Sequence, residues 1–371
     1  MKVSIGFKPR LGPWGGGNQF LHSLSNYLTN HGCQVTYNLN DPCLDIILLT
    51  DPREKSLSAS FSVKEVINYL TFINRAAIVV HRINECDERK GSSHVNKELI
   101  YANRFADHTV FVASWLKNLF IRYGLISSSR SVILNGSDLS VFNSNGHAKR
   151  LGKTPLKIIS HHWSSNWFKG FDIYEKLDQL LIKSKWRKKI QYTFVGKLPD
   201  DFHFINTTYI SPKHGTDLAE ILRSSHVYLT ASRNEPGGHH QNEGANCGLP
   251  LLYINSGCMP EYCDGFGVSF TPNNFENKLE EMIETYDYWA EKMINYPHTA
   301  EKMCSEYHRL FQDLLDNRKS ILSQRKPISK QSVLERRAYH FNEIKREIIR
   351  SVKFILRKIK LFFPSFIFYN I

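Results

Sequence analysis

The sequence predicts an α/β protein made of two halves, each built around a parallel sheet. From Val3 to about Leu151, short apolar strands alternate with segments of helical periodicity, a pattern typical of parallel sheets covered on both faces. A second series of the same kind begins at Leu156. The polar segment 146–155, which contains Gly and Pro, is the predicted linker. Two such halves leave a cleft facing the carboxyl ends of their strands.

The individual elements follow from the spacing of apolar residues. In the first half, the predicted strands are 3–7, 34–37, 45–49, 77–81, 108–112 and 131–134, and the helices are 18–30, 63–74, 97–105 and 114–123. In the second half, the predicted strands are 156–160, 191–195, 207–210, 227–230, 250–254 and 267–270, and the last helix is 299–316. We therefore expect an N-terminal domain at 1–150, a second domain at 151–317 and a tail at 318–371.

Length and composition favour a protein of two ordinary domains. The chain has 371 residues, of which 42% are hydrophobic, enough for two cores. It contains no run of 18 uncharged apolar residues, so no transmembrane helix is predicted, and its start lacks the features of a signal peptide. Seven scattered cysteines suggest reduced thiols and the cytosol. Cys258 and Cys263 are close, but no second pair completes a zinc site, so no metal is predicted.

The positive charge is concentrated at the C-terminus. Residues 318–371 carry 14 Lys and Arg against three Glu, which accounts for +11 of the net charge of +13. The nearly neutral body argues against nucleic acid as its substrate. The tail has helical character over 333–360 and ends in an aromatic-rich segment. It could be a solvated charged helix, but basic residues joined to inserted aromatics favour an anchor to an anionic membrane through 323–371.

The stretch from Glu235 to Pro250 carries the most functional information. It reads E-P-G-G-H-H-Q-N-E-G-A-N-C-G-L-P and lies between two predicted strands. A glycine turn followed by a helix N-terminus exposes amides that bind phosphate well. Glu235 and Glu243 flank that turn and are better suited to hydroxyl groups than to phosphate. Hydroxyls on either side of phosphates describe a nucleotide sugar, although the glutamate spacing alone is a weak signal.

Five segments of the chain, taken in order, form a further pattern that covers roughly residues 1–315. The segments are Gly15-Gly16-Gly17-Asn18 with His31-Gly32-Cys33-Gln34-Val35, then Asn135-Gly136-Ser137-Asp138-Leu139 with Phe142, then Lys169-Gly170-Phe171-Asp172, then Phe194-Val195-Gly196, and finally Glu235 to Glu243 with Gly244, Gly248, Pro250 and Glu261. Together they resemble glycosyltransferase family 4, whose members have the GT-B architecture of two Rossmann-like domains facing across a cleft.

The resemblance implies roles for individual residues. Glu235 would face the transferred sugar, Glu243 would accept hydrogen bonds from the ribose, and Lys169 would stabilise the leaving diphosphate. His81, which follows a predicted strand in the polar string H-R-I-N-E-C-D-E-R-K-G, would contact the transferred sugar, with Arg82, Asn84 and Asp87 near the acceptor. The other predicted donor-site residues are Gly15, Gly16, Gly17, Ser164, Gly196, Gly237, Gly238 and His239.

The chain departs from the family pattern at two places. Ser164 stands where the family commonly has an arginine, five positions before the lysine. His161, His162 and Asn166 are nearby candidates for the second phosphate contact. The family often has a large apolar residue before a single glycine, whereas this chain has Pro236-Gly237-Gly238-His239-His240. That change would reshape the sugar pocket.

The resemblance implies a retaining hexosyltransferase that uses a nucleoside-diphosphate sugar and no metal or cofactor. Its acceptor would be a glycan or lipid-linked molecule of cell-surface polysaccharide or lipopolysaccharide synthesis, met at the cytoplasmic face of a membrane. Three alternatives remain open: a glycogen- or sucrose-type transferase with a soluble acceptor, a non-catalytic glycan- or membrane-binding protein on the same fold, and nucleic-acid binding by the tail.

Overall fold

The computed structural model describes residues 1–10, 15–53, 56, 58–127, 129–152, 154–326, 348, 349 and 352. The chain divides into two compact units, residues 1–323 and 324–371, and both sheets belong to the first. The predicted membrane-binding part of the tail lies almost entirely outside the described residues. Among the helices that are described, none combines the length and apolar character needed to cross a bilayer.

The first domain is a parallel sheet with strand order β2-β1-β3-β4-β5-β6. The order reverses between β1 and β3, so the chain segments that leave these two strands diverge and open a crevice. Its elements are β1 (Lys2–Ile5), α1 (Gly16–Asn30), β2 (Gln34–Thr36), β3 (Ile46–Leu49), α2 (Val63–Phe72), β4 (Ile78–Ile83), α3 (Asp87–Lys90), α4 (Val95–Asn103), β5 (His108–Phe111), α5 (Ser114–Arg122) and β6 (Arg130–Val132).

The second domain has a parallel sheet with strand order β9-β8-β7-β10-β11-β12, which reverses between β7 and β10. Short 3-10 helices occur at Trp167–Lys169 and Met293–Asn295. The other elements are β7 (Leu156–His162), α6 (Phe171–Leu180), α7 (Ser184–Arg187), β8 (Ile190–Gly196), β9 (Thr208–Ile210), α8 (Gly215–Arg223), β10 (Val227–Thr230), α9 (His240–Asn246), β11 (Leu251–Ile254), α10 (Met259–Cys263), β12 (Gly267–Phe270), α11 (Phe275–Lys292), α12 (Ala300–Asp316) and α13 (Arg318–Gln324).

These elements confirm the predicted fold class. Each predicted strand is present within a few residues of its expected bounds. β3 is apolar and buried over all its residues, which is the sequence signature of a strand in a parallel sheet that helices cover on both faces. Helix α2 begins with a capping box, in which the Ser62 side chain accepts from the Glu65 amide and the Glu65 side chain accepts from the Ser62 amide.

The last long helix, α12, packs against the first domain and not against the second. Predicted as the end of the 151–317 domain, α12 packs against the core of the first sheet, where Tyr307 meets Phe20 of α1 edge to face at 5.3 Å between ring centroids. Met303, Phe311 and Leu314 of α12 lie in the same apolar cluster. The chain therefore crosses between the domains twice, and the boundary at 317 does not describe the packing of this helix.

Candidate functional site

A polar cavity of about 510 Å³ lies in the cleft between the two sheets. On one side it is lined by Gly15, Gly16 and Gly17 at the start of α1. On the other side are the residues that follow β7 and β10, the two strands between which the second sheet reverses. In open α/β sheets ligands bind at this reversal, beyond the carboxyl ends of the strands. The cavity therefore lies at the position where the sheet topology predicts a ligand-binding site.

Glu235 is the centre of a buried cluster of charges in this cavity. Its Oε2 accepts from Lys169 Nζ at 2.8 Å, from Arg89 Nε at 3.2 Å and from Ser232 Oγ at 2.6 Å. Burial alone would raise the pKa of Glu235, but the attraction of Lys169 and Arg89 holds it well below its usual value. Burial lowers the pKa of Lys169, and the attraction of Glu235 opposes that effect. Glu235 is therefore an ionised carboxylate in contact with two cations, Lys169 and Arg89.

Lys169 is positioned by local backbone geometry. Asn166 Oδ1 accepts from the Phe168 amide at 2.8 Å and starts the 3-10 helix that ends at Lys169. Gly170 follows with φ +95°, and a Cβ there would lie 2.3 Å from the Ala231 Cβ. Only glycine fits both the left-handed backbone and this close approach. The K-G dipeptide thus turns the chain so that Lys169 points to Glu235.

Glu243 forms a separate buried pair. It lies in the first turn of α9, is 1% exposed, and its Oε2 is 2.6 Å from His161 Nε2 at the end of β7. The Tyr228 hydroxyl lies 3.1 Å from the other ring nitrogen of His161. Burial would raise the pKa of Glu243, but the hydrogen bond and charge of His161 keep it below its usual value. The carboxylate is held ionised and fixed in orientation.

Histidines form much of the remaining wall on the second domain. His162 Nε2 is 2.6 Å from the Tyr174 hydroxyl, and His240 Nε2 is 2.9 Å from Thr230 Oγ1. The two rings meet edge to face at 4.8 Å between centroids. Burial lowers the pKa of both imidazoles well below the usual value. They are neutral at physiological pH and supply shape and hydrogen bonding rather than charge.

His239 meets the glycine loop of the first domain. A Cβ at Gly16 would lie 2.3 Å from His239 Cδ2, so the two domains are in close contact at this point. Burial lowers the pKa of His239 to about 4, and neither ring nitrogen has a hydrogen-bond partner in the part of the chain that the structure describes. Gly237 and Gly238, which precede it, also line the cavity.

Two of the predicted site residues lie away from the cavity. His81 is fully buried on β4, where its Nδ1 is 3.2 Å from Asn103 Nδ2, and burial lowers its pKa to about 3. Gly196 ends β8, where a Cβ would lie 2.0 Å from the His162 carbonyl oxygen. Neither is among the lining residues, whereas Ser164 is. His81 and Gly196 are therefore not brought together with the other predicted residues.

Arg82, the next residue after His81, does reach the cavity. It is 2% exposed and its guanidinium carbon lies 3.9 Å from the centre of the Phe20 ring. Arg82 Nη2 donates to Asn135 Oδ1 at 2.9 Å. Side chains alternate along a strand, so the two neighbours on β4 point to opposite faces, and Arg82 rather than His81 faces the cleft.

Hydrogen bonds join the two domains beside this cavity. Asn135 Nδ2 donates to the Gly237 carbonyl at 2.6 Å, and the Asn135 carbonyl accepts from Asn242 Nδ2 at 2.9 Å. The Tyr262 hydroxyl accepts from the Asn135 amide and donates to the Val112 carbonyl, each at 2.7 Å. These buried bonds hold the phosphate-turn candidate, residues 237–239, against the first domain.

A second cavity of about 170 Å³ opens in the first domain next to the main one. Arg82, Asn84, Glu85 and Lys90 line both cavities. Asp87, predicted near the acceptor, lies outside both, because its carboxylate accepts from the amides at 94–96 and fixes the loop before α4. The smaller cavity shares these four residues with the larger one, and its other walls include both apolar and charged side chains, among them Phe7, Leu99 and Asp51.

Sequence reasoning missed Arg89 and the pairing of His161 with Glu243. A signal for Arg89 existed, because the string from His81 to Gly91 is too rich in charge for a core. No local pattern assigned its partner. In the described residues, no group of three His, Cys, Asp or Glu side chains is arranged to hold a metal. The seven cysteines are free thiols.

Comparison with known proteins identifies the fold. No protein-family model matches the chain, and no curated protein matches it. Solved structures do match. A glycosyltransferase from Rickettsia africae ESF-5 is 14% identical with a TM-score of 0.60, over 85% of this chain and 98% of that chain. Sucrose-phosphate synthase from Thermosynechococcus elongatus is 12% identical with a TM-score of 0.58, over 85% and 99%.

A third structure, HepE from Anabaena in complex with UDP and glucose, is 16% identical with a TM-score of 0.56, over 86% of this chain and 99% of that chain. At such low identities the likeness establishes the fold alone. This chain has the GT-B fold of two Rossmann-like domains, and its structural neighbours are glycosyltransferases.

Proposed function

We propose that this protein is a retaining glycosyltransferase of the family 4 type, which transfers a hexose from a nucleoside-diphosphate sugar. The observation that carries the proposal is the buried arrangement of Glu235 with Lys169, and of Glu243 with His161, around one cavity at the strand reversal of the second sheet. A lysine, a helix start and two fixed carboxylates are the groups that a diphosphate flanked by two sugars requires.

In this proposal the two glutamates bind hydroxyl groups at opposite ends of the donor. Glu243 accepts from the ribose, and its bond to His161 at 2.6 Å keeps it ionised and oriented for that purpose. Glu235 faces the transferred sugar. Its bond to Lys169 at 2.8 Å supports a role in which Lys169 contacts the β-phosphate beside the sugar. Gly237, Gly238 and the backbone of His239 contact the phosphates.

The proposed chemistry depends on orientation and charge. The bond from the anomeric carbon to the β-phosphate oxygen breaks as the acceptor oxygen bonds to the same face of that carbon, and the departing phosphate takes the acceptor proton. Lys169 stabilises the charge that develops on the leaving diphosphate. A cationic side chain and helix amides in this position supply the charge for which other enzymes use a metal ion. Contact between the domains excludes water from the reacting atoms.

The acceptor in this proposal is a glycan or a lipid-linked molecule bound at the smaller cavity of the first domain. The basic, aromatic-ended tail would bring the enzyme to an anionic cytoplasmic membrane surface where cell-surface polysaccharide or lipopolysaccharide is made. Pelleting with phosphatidylglycerol vesicles tests this: the full chain should pellet, and a chain ending at residue 322 should not. If the full chain ignores these vesicles but retains RNA, the tail binds nucleic acid.

The donor is tested first by thermal stabilisation. The purified chain is screened against sugars carried on UDP, GDP, ADP and dTDP. At a concentration of 100 times Kd, a ligand stabilises the fold by about 2.7 kcal/mol, which raises Tm by several degrees in a chain of this size. A donor that stabilises is then tested for transfer and for the configuration of the product. An inverted product would overturn the retaining assignment.

The ribose assignment is tested with Glu243→Ala. We expect this variant to lose donor stabilisation, because the carboxylate would accept two hydroxyl hydrogen bonds of about 1.5–3 kcal/mol each. The matched control is Glu276→Ala, which removes a half-exposed carboxylate of α11 that pairs with Lys176. Equal donor binding by Glu243→Ala and the wild type would show that the ribose lies elsewhere.

A further inference from the structure

We propose that Arg89 of the first domain supplies the second cation of the diphosphate site. The site is then composite, because one cation from each domain contacts the diphosphate of the donor. This inference rests on the proposed function. In this inference, Arg89 takes the place of the arginine that the family commonly has at the position of Ser164. The neighbouring residues His161, His162 and Asn166 do not take that place.

The charges in the cavity leave room for an anion. Lys169 and Arg89 contact the same carboxylate oxygen of Glu235, at 2.8 and 3.2 Å, so their nitrogens lie within the 6.0 Å sum of these distances. Arg89 is 8% exposed and Lys169 is 9% exposed. One carboxylate balances only one of two buried cations. The positive charge that remains would offset one of the two negative charges of a sugar-linked diphosphate, and buried charges are stable only when they are paired.

The neighbours of Ser164 are poor sources of the second charge. Ser164 and Asn166 are uncharged, and His161 is held by Glu243. Burial keeps the pKa of His162 well below its usual value, so its ring is neutral. Among the described residues that line the cavity, Lys169 is the cation from the second domain, and Arg82, Arg89 and Lys90 come from the first domain. Lys90 is paired with Glu85 at 3.0 Å, which leaves the two arginines to compare.

Arg89 is also the better placed of the two cavity arginines. Arg82 is held against Phe20 and Asn135, whereas Arg89 shares the Glu235 oxygen with Lys169. A guanidinium can hold Glu235 through Nε and still present other N–H groups to phosphate oxygens, because its donors form a planar fork. Arg89 and Lys169 can therefore act on the same diphosphate.

The segment that carries Arg89 is rigid and touches the second domain at a further point. The Asp87 carboxylate accepts from the amides of His94 and Val95 at 3.0 and 2.9 Å, which fixes the loop around α3. Asn234 Nδ2 donates to the Glu88 carbonyl at 3.2 Å. A ligand that binds both Lys169 and Arg89 stabilises this contact, so donor binding and domain contact favour each other.

The experiment measures nucleotide affinity by calorimetry. UDP, GDP, ADP and dTDP, and the corresponding monophosphates, are titrated into the wild type, Arg89→Gln, Lys169→Gln and Arg89→Lys. The control is Arg130→Gln, which removes an exposed arginine of the same domain that bonds to the Ser127 carbonyl. Arg89→Gln keeps the ion pair between Lys169 and Glu235, so neither of these two buried charges is left without a partner in this variant.

We expect Arg89→Gln to weaken diphosphate binding by about tenfold or more, the effect of a lost charge-assisted hydrogen bond. Binding of the monophosphate should change less, and Arg89→Lys should recover part of the loss. If Arg89→Gln binds the diphosphate like the wild type while Lys169→Gln does not, the inference is overturned. It is also overturned if diphosphate and monophosphate weaken equally. If no nucleoside diphosphate binds the wild type, the proposed function itself fails.

Discussion

Replacing Glu235 by Gln should lower the free energy of unfolding, because Lys169 and Arg89 then lose the carboxylate that neutralises one of their charges. Glu235 is 7% exposed and accepts hydrogen bonds from Lys169, Arg89 and Ser232 at 2.8, 3.2 and 2.6 Å. The amide keeps the shape but removes the carboxylate that both cations contact. Breaking a buried ion pair by removing one partner costs about 3–5 kcal/mol, because the remaining charge is left uncompensated.

The assay is urea unfolding of Glu235→Gln at pH 7, with Glu276→Gln as the control. Glu276 pairs with Lys176 at 3.3 Å on the surface, where its side chain is 42% exposed. Exposed pairs contribute about 0–1 kcal/mol, so the control should unfold nearly like the wild type. A nucleoside diphosphate that binds should restore part of the loss in Glu235→Gln, since its phosphates replace the missing negative charge.

The pH dependence gives an independent check. The pKa of Glu235 is held below its usual value in the folded state, so its stabilising contribution is present above the unfolded pKa of about 4.3. That contribution is lost as pH falls through the lower folded value. The difference between wild type and Glu235→Gln should therefore be constant from pH 8 to pH 6 and shrink in strong acid. A loss below 1 kcal/mol at pH 7 would refute the charge assignment.

Three further predictions concern the glycine loop, the buried His81 and the contact between the two domains. Gly16→Ala should slow transfer by about tenfold or more, because its Cβ would lie 2.3 Å from His239 Cδ2. The control in the same activity assay is Arg130→Gln, which removes an exposed arginine outside the cavity. Between pH 7 and pH 5, His81→Gln should lose about 2 kcal/mol less free energy of unfolding than the wild type, as measured by urea titration. The buried imidazole, with its pKa lowered to about 3, stays unprotonated in the folded state, while the imidazole of the unfolded chain becomes charged below about pH 6.5. Identical pH profiles of the two proteins would contradict this prediction. Tyr262→Phe should cost about 1–3 kcal/mol in thermal unfolding by leaving the Asn135 amide and the Val112 carbonyl without their shared hydroxyl, and an unchanged Tm would show that water replaces it.

Local pattern was enough to predict the sheets and several of the residues that line the cavity. Strands of parallel sheets are short, continuously apolar and separated by helices, so β3, β10 and β12 could be recognised without knowing their neighbours. Residues that follow such strands converge at one edge of a sheet. That rule brought Lys169 and the Glu235–Glu243 stretch together correctly.

The rest depended on contacts between residues far apart in the chain. His81 and Arg82 are neighbours, and only the direction in which β4 presents its faces puts Arg82 in the cavity and His81 in the core. The crossing of α12 to the first sheet has the same origin. Its apolar face predicts a helix but does not say which of two cores will bury it.

The amino-acid sequence was enough to predict two parallel-sheet domains, the glycine turns, and Lys169, Glu235 and Glu243 as residues of the cleft. These features follow from periodicity and from conformations that only certain residues adopt. Which charged side chains contact each other depends on how the folded domains pack. Arg89 and Glu235 are 146 positions apart and His161 and Glu243 are 82 apart. Each pair forms only when two domains, or the ends of two strands, pack against each other. A local sequence pattern contains no information about contacts between residues so far apart in the chain.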